Sequence, residues 1–232
     1  MSVTQTRTDG AAATKCWSCG AATASGHFCA ACGKIQPLPR GTSYFAFFGL
    51  PEKLQIDPDT LEQQFHKLSW KLHPDNFMRA EEFERNLSLE RSSELNDAYR
   101  TLRDPLTRVE YLLAHKGMRK EGAAKQQAPP ELLEEVFELN ESLDELREAR
   151  AAGEDLAALR ARLESAEKDF QDKLEEVDAE LDRVRSEWDA VISGNADRVA
   201  QENLLARMNE ILNRRSYIRN LVASVAKELA DA

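Results

Sequence analysis

Cysteine is absent from residues 33–232, and glycine and proline are sparse, at 10 and 8 in 232 residues. Without cysteines spread along the chain there is no disulfide framework of the kind that staples small secreted proteins. The low glycine content excludes a collagen-like chain, and an apolar content of 42% is more than a disordered chain carries. Nothing apolar runs for the ~18 residues of a membrane span. The first fifteen residues, MSVTQTRTDGAAATK, lack an apolar stretch and include Asp9, so they read as neither a secretory signal nor a full transit peptide. A reducing compartment is therefore expected: the cytoplasm, or the mitochondrial matrix if the source is organellar. Positive charge is short as well, 31 Lys and Arg against 41 Asp and Glu, which makes a poor generic phosphate binder. No nucleic-acid or membrane partner is expected.

The charge that is present falls unevenly. Residues 1–116 hold 14 basic and 14 acidic side chains, whereas residues 117–232 hold 17 and 27, so the whole net charge of -10 belongs to the second half. Between the halves lies GMRKEGAAKQQAPP, where glycine and proline interrupt any helical pattern. A second break, KIQPLPRGT, follows Cys32 and cannot be an ordinary helix or central strand. The chain divides on these signals into a segment 1–40, a middle domain 41–116, a linker 117–130 and a carboxy-terminal domain 131–232.

All four cysteines lie in the first segment, as Cys16-Trp-Ser-Cys19-Gly and Cys29-Ala-Ala-Cys32-Gly. Two thiolates at i and i+3 on a tight turn can occupy two corners of a tetrahedron, and two such knuckles complete a four-sulfur metal site. The glycine after each pair tolerates the positive φ that aims backbone N–H groups at the sulfurs. Zinc is the first reading. Iron in a rubredoxin-like site and two disulfides are the others, the last disfavoured in a reducing compartment. His27 and Trp17 are expected as packing groups, because four cysteines already fill the shell. A segment this small buries no core of its own, so the metal is expected to fold it. Its only basic residues are Arg7, Lys15, Lys34 and Arg40, too few and too scattered for a nucleic-acid module.

The middle domain reads as a helical hairpin. Asp57-Pro58 is an N-cap followed by proline at the first helical position. Leu61, Phe65, Leu68 and Leu72 then form an apolar stripe, with His66, Lys67 and Lys71 off it. The helix must stop at His73-Pro74-Asp75, because a proline disfavours helical backbone in the residue before it. Phe83, Leu87, Leu95, Ala98, Tyr99 and Leu102 mark a second helix ending near Asp104-Pro105, and Pro105 to His115 a third.

From Glu131 on, apolar residues recur at helical spacing in three sets. The first is Leu132, Leu133, Val136, Leu139, Leu143 and Leu146. The second runs from Leu156 through Leu163, Phe170, Val177, Leu181 and Val184 to Trp188, and the third from Leu204 to Val225. Gly153 and Ser193-Gly194-Asn195 separate them. A three-helix bundle follows, its middle helix of about 38 residues spanning roughly 57 Å at 1.5 Å per residue. A two-stranded coiled-coil dimer is the structural alternative. The fold class expected is all-α: a helical hairpin and a three-helix bundle, preceded by a small metal-bound cysteine module.

Two antiparallel helices, a partly basic face on the first and His73-Pro74-Asp75 between them together resemble the J domain. The flanking segments SYFAFFGLP (43–51) and LNDAYRTLRDPLTRVEYLL (95–113) narrow the resemblance to the HscB family of iron–sulfur co-chaperones, some of which carry a two-knuckle cysteine module. The resemblance spans about residues 14–232 and is weakest in the last hundred. It implies a co-chaperone and not an enzyme: a protein that docks onto a DnaK/HscA-type ATPase chaperone, stimulates its ATP hydrolysis and delivers the iron–sulfur scaffold protein to it. His73 and Asp75 would project from a loop stiffened by Pro74, while Lys67, Lys71 and His66 steer an acidic partner surface. Leu133, Phe137, Glu138 and Glu141 match the family's scaffold-binding stretch, with Phe170 as its aromatic on the next helix. Phe137 also sits one step off the leucine stripe, where it should be partly exposed. Two departures stand out: Asn76 follows the tripeptide where a Lys is common, and Glu134 occupies a usually apolar place. A J-domain protein for general unfolded clients and a purely structural coiled-coil adaptor are the rival readings. A monomer or weak dimer is expected.

Overall fold

The computed structural model of the chain describes residues 14–23, 26–118, 129–194 and 197–231. Most of the expected linker, 119–128, lies outside the described residues, as does Asn195. The chain forms two compact units, one of residues up to Glu52 with Ile56–Arg108, the other of Lys53–Gln55 with Val109 onward. Among the described residues the regular structure is helical, as expected, apart from one two-stranded ribbon and an isolated bridge between Phe28 and Ile35. Among the described residues no helix is long and apolar enough to cross a membrane.

The first unit opens with the ribbon, β1 (Thr14–Lys15) antiparallel to β2 (Ala22–Thr23). Its two cysteine knuckles are closed alike. Gly20 N–H donates to the Cys16 carbonyl at 3.0 Å and Gly33 N–H to that of Cys29 at 2.8 Å. Both glycines have φ near +72°, which a side chain would strain. A short helix, α1 (Tyr44–Phe47), is capped by Ser43, whose Oγ accepts from Ala46 N–H at 3.1 Å, and buries Phe45 and Phe47.

The hairpin is α2 (Pro58–Leu72) and α3 (Glu82–Arg103), with a 3-10 turn over Pro74–Phe77 between them. Asp57 caps α2 as expected, accepting from Thr60 N–H at 3.0 Å. Leu61, Leu72, Leu87, Leu95, Ala98 and Leu102 are buried, and the rings of Phe65 and Tyr99 stack with centroids 4.2 Å apart. Phe83 departs from the expected stripe: it is 47% exposed and meets Trp17 of the cysteine module edge-on at 4.9 Å. The reason is its position in the first turn of α3, beyond the reach of α2, where the module is the available apolar neighbour.

Helix ends are satisfied by side chains from neighbouring elements. The Leu72 carbonyl, at the buried end of α2, accepts from Ser88 Oγ at 2.7 Å and Ser92 Oγ at 3.0 Å of α3. At the end of α3, buried Arg108 donates through Nε to the Leu102 carbonyl at 2.6 Å. Losing one serine hydroxyl still leaves Leu72 a partner. Ser88→Ala is therefore expected to cost about 1 kcal/mol, and Ser88→Ala with Ser92→Ala more than the sum of the two, because a buried acceptor is then orphaned. Urea unfolding of the three variants measures this.

Asp104 caps α4 (Pro105–His115), accepting from Thr107 N–H at 2.7 Å. In the second unit follow α5 (Leu133–Ala152), α6 (Ala157–Ser193) and α7 (Arg198–Asp231). Gly153, at φ +72°, ends α5 in the left-handed conformation expected of a C-terminal glycine. The 37-residue α6 pairs with α7 along its length and α5 packs against α6, which is the three-helix bundle. Val136, Leu139, Leu143 and Leu146 of α5 meet Leu163, Phe170, Val177, Leu181, Val184 and Trp188 of α6 and the Leu204–Val225 stripe of α7 in its core. Leu133 falls outside that core at 55% exposure: Leu132, just before α5, and Val136, four residues on, share the core face, and Leu133 is turned about 100° away from Leu132. Ion pairs such as Arg215 to Asp178 at 2.5 Å and Arg207 to Glu187 at 2.6 Å line the α6–α7 seam. The segment Lys53–Gln55 is held to α6 by Asp189, whose carboxylate accepts from the N–H groups of Leu54 and Gln55 at 2.6 and 2.8 Å.

Candidate functional site

Three groups of side chains stand apart from what the fold needs. The first is the turn of the hairpin. His73 ends α2 and its Nδ1 accepts from Asp75 N–H at 3.3 Å, with the Asp75 carboxylate 3.5 Å from the same ring. Both side chains remain largely in solvent, 56% and 76% exposed. His66, Lys67 and Lys71 are exposed on the same helix. The turn thus presents a fixed His-Pro-Asp step beside a short cationic row.

Asn76 has a role that its sequence position did not signal. A helical carbonyl accepts from the N–H four residues on, and for Trp70 that residue is Pro74, which has none. Asn76 Nδ2 supplies the missing donor, 2.6 Å from the Trp70 carbonyl.

The four cysteines form the second group. Cys16 Sγ lies 3.7 Å from Cys32 Sγ and Cys19 Sγ 3.8 Å from Cys29 Sγ, and all four sulfurs fall within 4.8 Å of one another. A tetrahedral ion with metal–sulfur bonds of about 2.3 Å has sulfur–sulfur edges of about 3.8 Å. The spacing is that of a metal site, formed by four free thiols. Cys16 and Cys29 are buried, Cys19 and Cys32 exposed. Desolvation opposes ionisation of Cys16, but the N–H groups of Cys19 and Ser18 outweigh it and hold the thiol down to about 6. At Cys32 the Lys34 N–H works in the same sense, yet desolvation and the sulfurs of Cys19, Cys16 and Cys29 push the thiol up to about 12. Four thiolates could coexist here only where a cation replaced the protons, so binding of a metal would release protons and acid would compete with it. Bound there, a metal supplies structural cross-linking of the two knuckles.

Trp17 and His27 are packing groups, as expected. Trp17 Nε1 donates to the Ile35 carbonyl at 2.7 Å, and His27 Nε2 to the Phe47 carbonyl of α1 at 2.8 Å. Burial keeps His27 below its usual pKa, consistent with a neutral ring. Lys34 was not singled out by the sequence. It stands 4.8 Å over the Trp17 ring and pairs with Glu84 of α3 at 3.0 Å and Glu81 at 3.5 Å. The Glu84 side chain is only 9% exposed, so α3 buries a carboxylate that the cysteine module neutralises.

The third group lies on α5 and α6. Phe137, Glu138 and Glu141 are exposed with Leu133 on neighbouring turns of α5, Phe137 at 71%. Phe170 is buried to 3%: its ring forms part of the floor of a groove of about 800 Å³, supporting this surface from beneath instead of offering a free face. Its place on the core stripe of α6 is the cause. Glu138 and Glu141 border the groove together with Asp169, Asp172 and Glu176 of α6. Its two cations are already engaged, Lys173 with Glu135 at 3.0 Å and Arg162 with Glu145. The groove therefore offers an apolar floor under unneutralised carboxylates.

A helical hairpin with His-Pro-Asp exposed at its turn, joined to a helical bundle and a four-cysteine module, defines a J-domain co-chaperone. No family model matches the chain. A co-chaperone protein HscB homolog from Vibrio vulnificus (strain YJ016) is 35% identical over 170 residues, 73% of this chain and 94% of that protein. The iron-sulfur cluster co-chaperone protein HscB of Mus musculus is 32% identical over 166 residues, 70% of this chain and 69% of its own. The chain belongs to the HscB family of co-chaperones. The crystal structure of human co-chaperone protein HscB shares the fold, with a TM-score of 0.59 at 23% identity over 93% of this chain and 98% of that one.

Proposed function

We propose that this co-chaperone docks onto a DnaK/HscA-type ATPase chaperone through α2 and the His73-Pro74-Asp75 turn, stimulates its ATP hydrolysis and brings it the iron–sulfur scaffold protein. The observation that carries the reading is the turn itself: His73 and Asp75 are held in place by Pro74 and by their mutual contact, yet are exposed beside Lys67, Lys71 and His66. Such a step suits an acidic partner surface. In this reading residues 1–40 are the metal module, 41–116 the J domain and 131–232 the scaffold-binding bundle. Zinc is the ion assigned to Cys16, Cys19, Cys29 and Cys32, since four thiolates in a tetrahedral set with no open position suit a structural zinc. Free thiols of this kind fit a reducing compartment.

The scaffold is assigned to Leu133, Phe137, Glu138 and Glu141, with Phe170 beneath them. An exposed aromatic flanked by carboxylates suits a partner whose apolar patch is ringed by Lys or Arg. Phe137→Ala with Glu138→Lys is expected to weaken scaffold binding at least tenfold, measured by calorimetry, because an aromatic anchor is lost and one attraction becomes a repulsion. Stimulation of the chaperone's basal ATPase by the same preparation should persist. Unchanged scaffold affinity would show that the surface lies elsewhere. A wild type that binds no scaffold but suppresses aggregation of unrelated unfolded proteins would favour a general-client role.

A further inference from the structure

The exposed side of α2 carries one large apolar side chain that the fold does not use. Trp70 is 79% exposed. At about 100° per residue it stands roughly 200° around the helix from Leu68, away from the Leu61–Leu72 stripe that meets α3. Its neighbours on its own side of the helix are His66 and Lys67, one turn back, and His73, one turn on. With Ser69, Asp75 and Asn76, the residues Trp70, His66 and His73 border an open hollow of about 470 Å³. The indole therefore adjoins the His-Pro-Asp turn directly. The Asn76 bond to the Trp70 carbonyl, made because Pro74 has no N–H, ties the backbone under the indole to the turn. Helix end and turn form one braced piece, so little order remains to be imposed on them at binding.

We infer that Trp70 is the apolar anchor through which this face binds the ATPase chaperone, an inference that rests on the docking reading given above. The occupant is an apolar recess of the chaperone rimmed by carboxylates. Lys67 and Lys71 are exposed cations along one side of the indole, opposite His66 and His73, and a tryptophan with cations beside it complements an apolar pocket with carboxylates along its edge. Trp70 sets affinity and choice of partner, whereas His73 and Asp75 act on the ATPase once bound.

The test is a titration of the full-length co-chaperone against the chaperone's steady-state ATP hydrolysis. Trp70→Ala is expected to raise the half-saturating concentration tenfold or more while leaving maximal stimulation intact, and Trp70→Phe to recover most of that loss. Trp70 being exposed, the melting temperature should not move. Trp17→Phe with Trp188→Phe leaves Trp70 as the co-chaperone's only tryptophan, and its selectively excited emission, after subtraction of the chaperone's own signal, should shift to the blue when chaperone is added. Unchanged half-saturation in Trp70→Ala, or emission that stays solvent-like at saturation, overturns the anchor while the docking reading stands. Wild-type protein with no stimulation at all overturns both.

Discussion

Asp75→Ala is expected to abolish stimulation of the chaperone ATPase at any concentration while leaving the fold intact. The Asp75 side chain is 76% exposed, and its contact with the His73 ring at 3.5 Å lies in solvent. The hydrogen bond that shapes the turn is made by the Asp75 backbone N–H, which alanine retains. Stability should therefore change by less than about 0.5 kcal/mol. Function should change far more, since the carboxylate is one of two polar groups that the turn holds out for a partner. Steady-state ATP hydrolysis with and without the variant, beside circular dichroism and thermal melts of the same sample, measures both. Full stimulation by Asp75→Ala would remove the docking role of the turn.

Stripping the metal should have the largest effect on stability. The cysteine module has little core of its own: its regular structure is a ribbon of two-residue strands and two knuckles, so an ion bound by the four thiolates would be its main cross-link. Once the knuckles open, Lys34 leaves Glu84, Trp17 leaves Phe83, and His27 leaves the Phe47 carbonyl. A buried carboxylate losing its partner costs about 1–3 kcal/mol, and each kcal/mol lowers the melting point of a domain of this size by about 4–8 °C. Cys16→Ser with Cys29→Ser, or a strong chelator, is thus expected to lower the melting temperature of the unit containing α1, α2 and α3 by on the order of 10 °C. The α5–α7 bundle should keep its helicity. Elemental analysis should return one metal ion per chain for the wild type. An identical melt after verified metal loss would show that the module does not support the hairpin.

Much of this was legible from local pattern. Asp57-Pro58, Pro74, Asp104-Pro105 and Gly153 are punctuation with direct backbone consequences, and the helices begin or end beside them. The stripes of leucine at helical spacing specified which faces would be buried, and the thiol spacing within each knuckle specified a tetrahedral site. The exposure of Phe137 followed from its place one step off a stripe. Trp70 carries the same signal, a large apolar residue on the side of α2 away from Leu61, Leu68 and Leu72.

What only the tertiary structure decided has a common physical cause: it depends on which distant residues meet. Nothing within a few positions of Glu84 signals that Lys34, fifty residues earlier, neutralises it. Ser88 and Ser92 look like ordinary helix-surface serines until the carbonyl of Leu72 is placed against them, and Phe83 looks like hairpin core until Trp17 takes its edge. Phe170 could be placed on a helix by its spacing, but whether its ring faced a partner or the floor of a groove was set by the packing of α5 on α6. Periodicity reports the direction in which a side chain points from its own helix. The identity of what it meets there is a property of the folded chain.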